Sequence, residues 1–307
     1  MKQTMFFEGI VCPMITPLNE DYSLDIISTQ NLIQHIISGG VGGIFILGTT
    51  GEASSLSFRM KKELIQVCSE VLKQTNCQLL VGVGDTSLQQ SQELARVARL
   101  NGADAVVANP PYYFDLDEKD VLNYFITLAD TVSLPLFLYN YPKSTHFNIT
   151  IETIRQLASH PNIIGIKDSS ANLEYIEKVA TVCRETGFNF LIGPEELLIE
   201  SLKMGVHGGV NGGSNLFPNL FTELFLAAIN KEDKKAKSLN AIVNKLSAEV
   251  YAKEGGANSY LKGLKAAASS LGLCKNILLP PLSAANNAVI SDIENSIQVL
   301  KTQLKSI

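Results

Sequence analysis

The chain has 307 residues, of which 46% are hydrophobic and 18% charged, and its net charge is −5 with acids and bases interspersed. This composition fits a globular chain with a large core and excludes a basic nucleic-acid-binding stripe as the main feature. No apolar run approaches the ~20 residues needed to span a bilayer, so neither nucleic acid nor membrane is an expected partner.

The opening MKQTMFFEGI lacks an apolar core of signal-peptide length, and a cytoplasmic location is expected. The five cysteines (Cys12, Cys68, Cys77, Cys183 and Cys274) share no metal or redox spacing, which reads as free thiols in a reducing compartment. GIVCPMITP (9–17) is the first of eight short apolar, β-branched runs. The others are GGIFILG (42–48), QLLVGVG (78–84), ADAVVANP (103–110), LPLFLYN (134–140), NIIGIKD (162–168), NFLIGP (189–194) and GVHGGVNGG (205–213). Most are continuously apolar rather than alternating, as expected of strands buried on both faces.

Between these runs lie stretches with apolar residues at helical spacing. SLDIISTQNLIQHIIS follows the first run, and SFRMKKELIQVCSEVLKQ, SLQQSQELARVARLNG, DEKDVLNYFITLAD, TIETIRQLAS and ANLEYIEKVATVCRET follow later ones. Several begin at Ser, Thr or Asp and some end near Gly or Asn, as helix caps do. Strand–helix alternation repeated eight times with right-handed crossovers predicts a closed (β/α)8 TIM barrel. A doubly wound open sheet is the alternative, weakened because no G-x-G-x-x-G follows any strand. From about residue 218 the strands stop. PNLFTELFLAAIN reads as the eighth barrel helix, and the remainder as a C-terminal helical extension packed on the barrel. The expected division is a catalytic barrel over 1–230 and an extension over 231–307.

In such a barrel the site lies at the C-terminal strand ends. There the chain places GTTGE, NPPYYF, YNYP, KDSS, GPEE and VNGGSN, a collection of hydroxyls and phenols with one lysine. Of the histidines, only His146 and His207 fall near the expected mouth. No His/Asp/Glu cluster has metal-ligand spacing, so no metal is expected. Lys167 reads either as a strand-end lysine snorkelling to solvent or pairing with Asp168, or as a nucleophile. In the second reading desolvation lowers its pKa and leaves an amine able to attack a carbonyl. GTTGE (48–52) is either a βα turn whose Thr or Ser caps the next helix, or a loop whose amides and the Thr49 and Thr50 hydroxyls hold a carboxylate. Tyr139 is an aromatic lid on the core or a phenol that moves protons. Tyr112 and Tyr113 are turn aromatics or interface residues. The glycines of GVHGGVNGGSN serve barrel closure or close backbone approach to a ligand.

GTTGE, YNYP and GIKDSS, in this order and spacing, resemble the class I pyruvate-dependent lyases, the dihydrodipicolinate synthase and N-acetylneuraminate lyase superfamily. The likeness extends to GIVCPMITPL, NPPYY and LPPLSAANNAV and so covers nearly the whole chain. It implies that Lys167 condenses with the keto carbon of pyruvate or another 2-keto acid, with no cofactor beyond that covalent imine. It implies that Tyr139 shuttles protons and that Thr49 and Thr50 hold the keto-acid carboxylate. Thr49 would relay protons between Tyr139 and a tyrosine lent by a neighbouring subunit, the position of Tyr113. The Val210 carbonyl would lie near bound pyruvate. The family is usually a homotetramer, a dimer of dimers.

Two features depart from the synthases of that family. Ser144 stands where they carry an arginine two residues past the proline, and neighbouring Lys143 does not replace a bidentate guanidinium. GPEE replaces a turn that usually reads more like SGDD. Glu195 and Glu196 are expected chiefly as first-turn acids of the next helix, with contact to sugar hydroxyls as the alternative. The partners expected are thus a keto acid and an aldehyde. The preferred activity is a 2-keto-3-deoxy sugar acid aldolase. Dihydrodipicolinate synthase is the alternative, followed by N-acetylneuraminate lyase and a sugar-acid dehydratase. A barrel that binds a keto acid without turning it over is the reading from a different class.

Overall fold

A computed structural model describes residues 7–305. The first six residues of the opening stretch and the last two of the final helix-like stretch lie outside the described residues.

Eight strands form a closed parallel barrel in sequence order: β1 (Gly9–Pro13), β2 (Gly43–Ile46), β3 (Gln78–Gly82), β4 (Ala105–Ala108), β5 (Leu136–Asn140), β6 (Ile163–Asp168), β7 (Asn189–Ile192) and β8 (Gly208–Val210). β8 pairs with β1 through Gly208–Gly9, Gly209–Ile10 and Val210–Val11. A Cβ on Gly208 would lie 1.9 Å from the Gly9 carbonyl oxygen, so closure requires glycine there. The final strand is shorter than the glycine-rich stretch suggested: only Gly208–Val210 is strand, and Gly212–Asn215 winds into a 3₁₀ turn.

The helices are α1 (Ile26–Ser38), α2 (Phe58–Leu72), α3 (Leu88–Leu100), α4 (Glu118–Thr131), α5 (Pro142–Thr145), α6 (Ile151–Leu157), α7 (Leu173–Thr186), α8 (Leu198–Lys203), α9 (Pro218–Ile229), α10 (Asp233–Leu246), α11 (Ser259–Ser270) and α12 (Asn287–Leu304). The short α8 between β7 and β8 and the single turn of α5 did not stand out in the sequence. Capping follows the local signals. Asp25, Ser57, Ser87, Thr150 and Asn172 accept N-terminal amides, and Asp117 forms a capping box with Asp120. α7 ends at Gly187 in the left-handed conformation.

The continuous apolar character of the strands has a plain cause, because each strand is buried on both faces. Val11, Phe45, Leu80, Val107, Phe137, Leu191 and Val210 fill the barrel interior with Tyr139, while the alternate strand residues pack under the helices. Gly165 belongs to this interior packing. A Cβ there would meet the Phe137 ring at 2.4 Å.

His207 is a correction to the expected mouth. It precedes β8 at the opposite end of the barrel, where its Nδ1 accepts the Phe190 amide at 3.0 Å. His146 is exposed after α5. Among the described residues no helix is long and apolar enough to cross a membrane.

Candidate active site

β5 and β6 are neighbours, and their register sets Tyr139 directly beside Lys167. Alternation along β6 sends Lys167 and Asp168 to opposite faces. Lys167 points into the barrel mouth, only 7% exposed, with Nζ 3.8 Å from the centroid of the Tyr139 ring. Asp168 accepts Asn140 Nδ2 at 2.7 Å and the Ser170 hydroxyl at 2.8 Å. Burial raises its pKa, opposed by those hydrogen bonds and by nearby Lys167. The reading of Lys167 as a snorkelling or Asp168-paired lysine is therefore overturned: it is buried, and the ion pairs among the described residues involve other lysines.

The GTTGE loop is held by its own backbone. Gly51 and Ala53 donate to the Gly48 carbonyl, and Glu52 donates to that of Thr49. Among the described residues the Thr49 and Thr50 amides donate to no protein acceptor. Two free N–H groups thus accompany two hydroxyls. The next helix, α2, is indeed capped by a serine, Ser57, so neither Thr49 nor Thr50 is used as its cap. Thr49 Oγ1 lies 3.3 Å from the Tyr139 phenol oxygen, and Thr50 Oγ1 lies 3.2 Å from that of Tyr260. The ring of Tyr141 lies parallel to that of Tyr139, with centroids 6.0 Å apart.

These groups line a cavity of about 370 Å3 that includes Thr49, Thr50, Tyr139, Lys167 and Val210. Its far wall comes from GPEE and from the chain after α10, where a π-helical turn, Ser247–Tyr251, presents Ser247 and Tyr251. A second cavity of about 350 Å3 adjoins it, sharing Thr49, Tyr139 and Tyr141, and Ser144 lines that one. Among the described residues Lys167 is the only lysine or arginine lining either cavity.

Tyr113 is not among the residues brought together. It lies on the β4–α4 loop, 79% exposed, with its ring edge-on to Phe114. Glu195 was expected chiefly as a helix-end acid. It does open a 3₁₀ turn, but its side chain is buried in the cavity wall, where it accepts the Gly213 amide at 2.9 Å and the Tyr251 hydroxyl at 3.3 Å. Burial pushes its pKa up to about 8. Glu196 accepts a hydrogen bond from Ser247. Sequence reasoning missed Ser247, Tyr251 and Tyr260. The one trace of them was the glycine pair of VNGGSN. A Cβ on Gly212 would lie 1.7 Å from the Tyr260 phenol oxygen, and one on Gly213 2.6 Å from that of Tyr251. Gly212 makes room for the Tyr260 phenol in the cavity wall, and Gly213 for the Phe221 ring and the Tyr251 phenol.

The closed (β/α)8 barrel, together with a family match over nearly the whole chain, places the protein in the class of pyruvate-dependent barrel lyases. The chain belongs to the dihydrodipicolinate synthetase family, whose model matches residues 6–300. A 4-hydroxy-tetrahydrodipicolinate synthase of Bartonella bacilliformis is 31% identical over 292 residues, 95% of this chain and 97% of that protein. The solved dihydrodipicolinate synthase of Bacteroides thetaiotaomicron superposes with a TM-score of 0.91 at 41% identity, covering 95% of this chain and 98% of that one. YagE of Escherichia coli K12, named as a putative 2-dehydro-3-deoxy-D-gluconate aldolase and solved with pyruvate, superposes with a TM-score of 0.90 at 28% identity, covering 96% and 99%.

Proposed function

We propose that the chain is a class I aldolase that forms an imine between Lys167 and a 2-keto acid, and that its favoured substrates are 2-keto-3-deoxy sugar acids. The observation that carries this reading is Lys167 itself, buried beside Tyr139 in a cavity whose remaining polar lining is hydroxyls, free amides and two glutamates. The free-amine form of Lys167 attacks the keto carbon. The Tyr139 phenol gives a proton to the departing hydroxide, water leaves, and an iminium remains. In the cleavage direction a base takes the proton of the C4 hydroxyl. The C3–C4 bond breaks, its electron pair passes into the iminium to give an enamine, and the aldehyde departs. Protonation at C3 and hydrolysis then release pyruvate and restore the amine. Thr49, 3.3 Å from the phenol, is placed to pass protons to and from Tyr139. Thr50 and the two loop amides hold the carboxylate, and the Val210 carbonyl borders the keto acid.

Dihydrodipicolinate synthase is the second reading, favoured by the name borne by the Bartonella and Bacteroides relatives. Its aldehyde substrate, aspartate-semialdehyde, carries a carboxylate of its own, and among the described residues neither cavity offers a cation for it besides Lys167. Uncharged aldehydes suit such a lining better. The exposed Tyr113 suits a residue lent to a neighbouring copy in a homotetramer, and the free cysteines suit a reducing, cytoplasmic setting.

The test is incubation with pyruvate, reduction with borohydride and mass analysis of peptides. One reduced pyruvyl group on the peptide containing Lys167 is expected, and no added mass there defeats the imine reading. A panel of hydroxylated aldehydes against aspartate-semialdehyde then separates the two activities. Preference for aspartate-semialdehyde would overturn the sugar-acid reading.

A further inference from the structure

We infer that Tyr260, on the C-terminal helix α11, is a positioning residue that fixes the Thr50 hydroxyl for the keto-acid carboxylate. The inference rests on the reading of Thr50 as a carboxylate-binding residue and extends the site to a residue 210 positions away.

The geometry is specific. The phenol oxygen of Tyr260 lies 3.2 Å from Thr50 Oγ1, and both residues line the cavity that holds Lys167. A threonine hydroxyl has one proton and turns freely about its C–O bond. When it gives that proton to a carboxylate, its oxygen accepts a hydrogen bond from elsewhere. A phenol that keeps its proton is such a donor. Burial and the nearby Glu195 carboxyl hold Tyr260 well above the ordinary tyrosine range, so it remains O–H. A donor behind the hydroxyl both orients it and strengthens the bond it makes in front.

Three features keep the phenol in place. The missing side chain of Gly212 leaves its space, since a Cβ there would lie 1.7 Å from the Tyr260 oxygen. The Tyr251 ring stands edge-on to it at 5.0 Å. Farther along the same helix, Lys265 donates to the Thr16 carbonyl at 2.6 Å and pairs with Glu52, the last residue of GTTGE, at 2.8 Å. α11 therefore grips the loop twice, at Glu52 behind the site and at Thr50 within it. The position of the carboxylate end is set by the chain beyond the barrel.

The experiment measures the pyruvate concentration that half-saturates borohydride trapping in wild type, Tyr260→Phe, Thr50→Val, Thr50→Ser, Tyr251→Phe and the Tyr260→Phe/Thr50→Val double variant. Tyr260→Phe is expected to raise that concentration by about 3–10-fold, the scale of one hydrogen bond, with the trapping rate at saturation unchanged. In the Thr50→Val background it adds less than twofold. Thr50→Ser, which keeps the hydroxyl, recovers most of the affinity that Thr50→Val loses, and Tyr251→Phe, whose phenol serves Glu195, raises the concentration less than Tyr260→Phe does. An equal rise in both Thr50 backgrounds, or an equal rise with Tyr251→Phe, overturns the inference by showing a general structural effect. If Thr50→Val raises the concentration and Tyr260→Phe does not, the inference falls and the role of Thr50 stands. If Thr50→Val changes nothing, the role of Thr50 falls and the inference with it.

Discussion

Lys167 Nζ lies 3.8 Å from the centroid of the Tyr139 ring, and the two residues are direct partners in the β5–β6 ladder. Sheet register alone brings an amine and a phenol into contact. The aromatic face takes the place a carboxylate would occupy in an ion pair. Replacing Lys167 with Met should abolish pyruvate trapping and turnover while Tm stays equal to wild type or rises. A buried polar group without an ion-pair partner gives way there to an apolar chain of similar volume. Thermal melting beside the trapping assay checks this, and residual trapping at an unrelated lysine would contradict it.

Tyr139→Phe keeps the ring that packs on Lys167 and Tyr141 and removes only the hydroxyl facing Thr49. A fall in kcat of about 10²–10⁴-fold is expected, the usual range for loss of a general acid–base group, with Tm little changed. Thr49→Val should cost less, and the double variant should be no worse than Tyr139→Phe alone, because both act on one proton path. Steady-state kinetics of the four proteins form the cycle.

The buried Glu195 makes stability depend on pH with a definite sign. Its folded pKa of about 8 lies above the ordinary 4.5. Below pH 4.5 the carboxyl is protonated in both states and contributes no slope. Between 4.5 and 8 the folded protein holds a proton that the unfolded chain has released, so stability falls as pH rises, and above about 8 the loss is complete. Glu195→Gln can still accept the Gly213 amide and lacks this titration. Its advantage over wild type in urea midpoint should grow from pH 5 to pH 8 and then level off. A pH-independent difference would show that Glu195 does not titrate in this window.

Lys265 and Glu52 form a pair only 1% and 0% exposed at their side chains, with Glu52 Oε2 also accepting the Leu279 amide at 2.8 Å. Lys265→Met leaves Glu52 without its cation and should destabilise by about 3–5 kcal/mol. Replacing both residues with apolar ones of matching volume should recover much of the loss. Urea denaturation of the single and double variants measures both, and a neutral single variant would mean that water replaces the ammonium.

The strands were readable because burial on both faces writes a continuous apolar signature into each one. Lys167, Thr49, Thr50 and Tyr139 were readable because the barrel rule selects residues at C-terminal strand ends. His207 misled because it sits in the same glycine-rich run as β8 but before the strand, which puts it at the other end of the barrel. Glu195 was half readable: it is the first-turn acid expected, but a first-turn acid and a buried cavity acid look alike locally, and only the phenol of Tyr251 and the Gly213 amide reveal the second role.

The sequence by itself determined the strand–helix order, the barrel and the lysine at the end of β6, since each follows from local periodicity and strand ends. Only the tertiary structure decided that Lys167 faces Tyr139 rather than Asp168, that Thr50 meets Tyr260 and that Glu52 meets Lys265. The first is a matter of strand register and side-chain alternation. The other two join residues more than 200 positions apart, and no local pattern encodes a contact made when a C-terminal helix folds back across the barrel mouth.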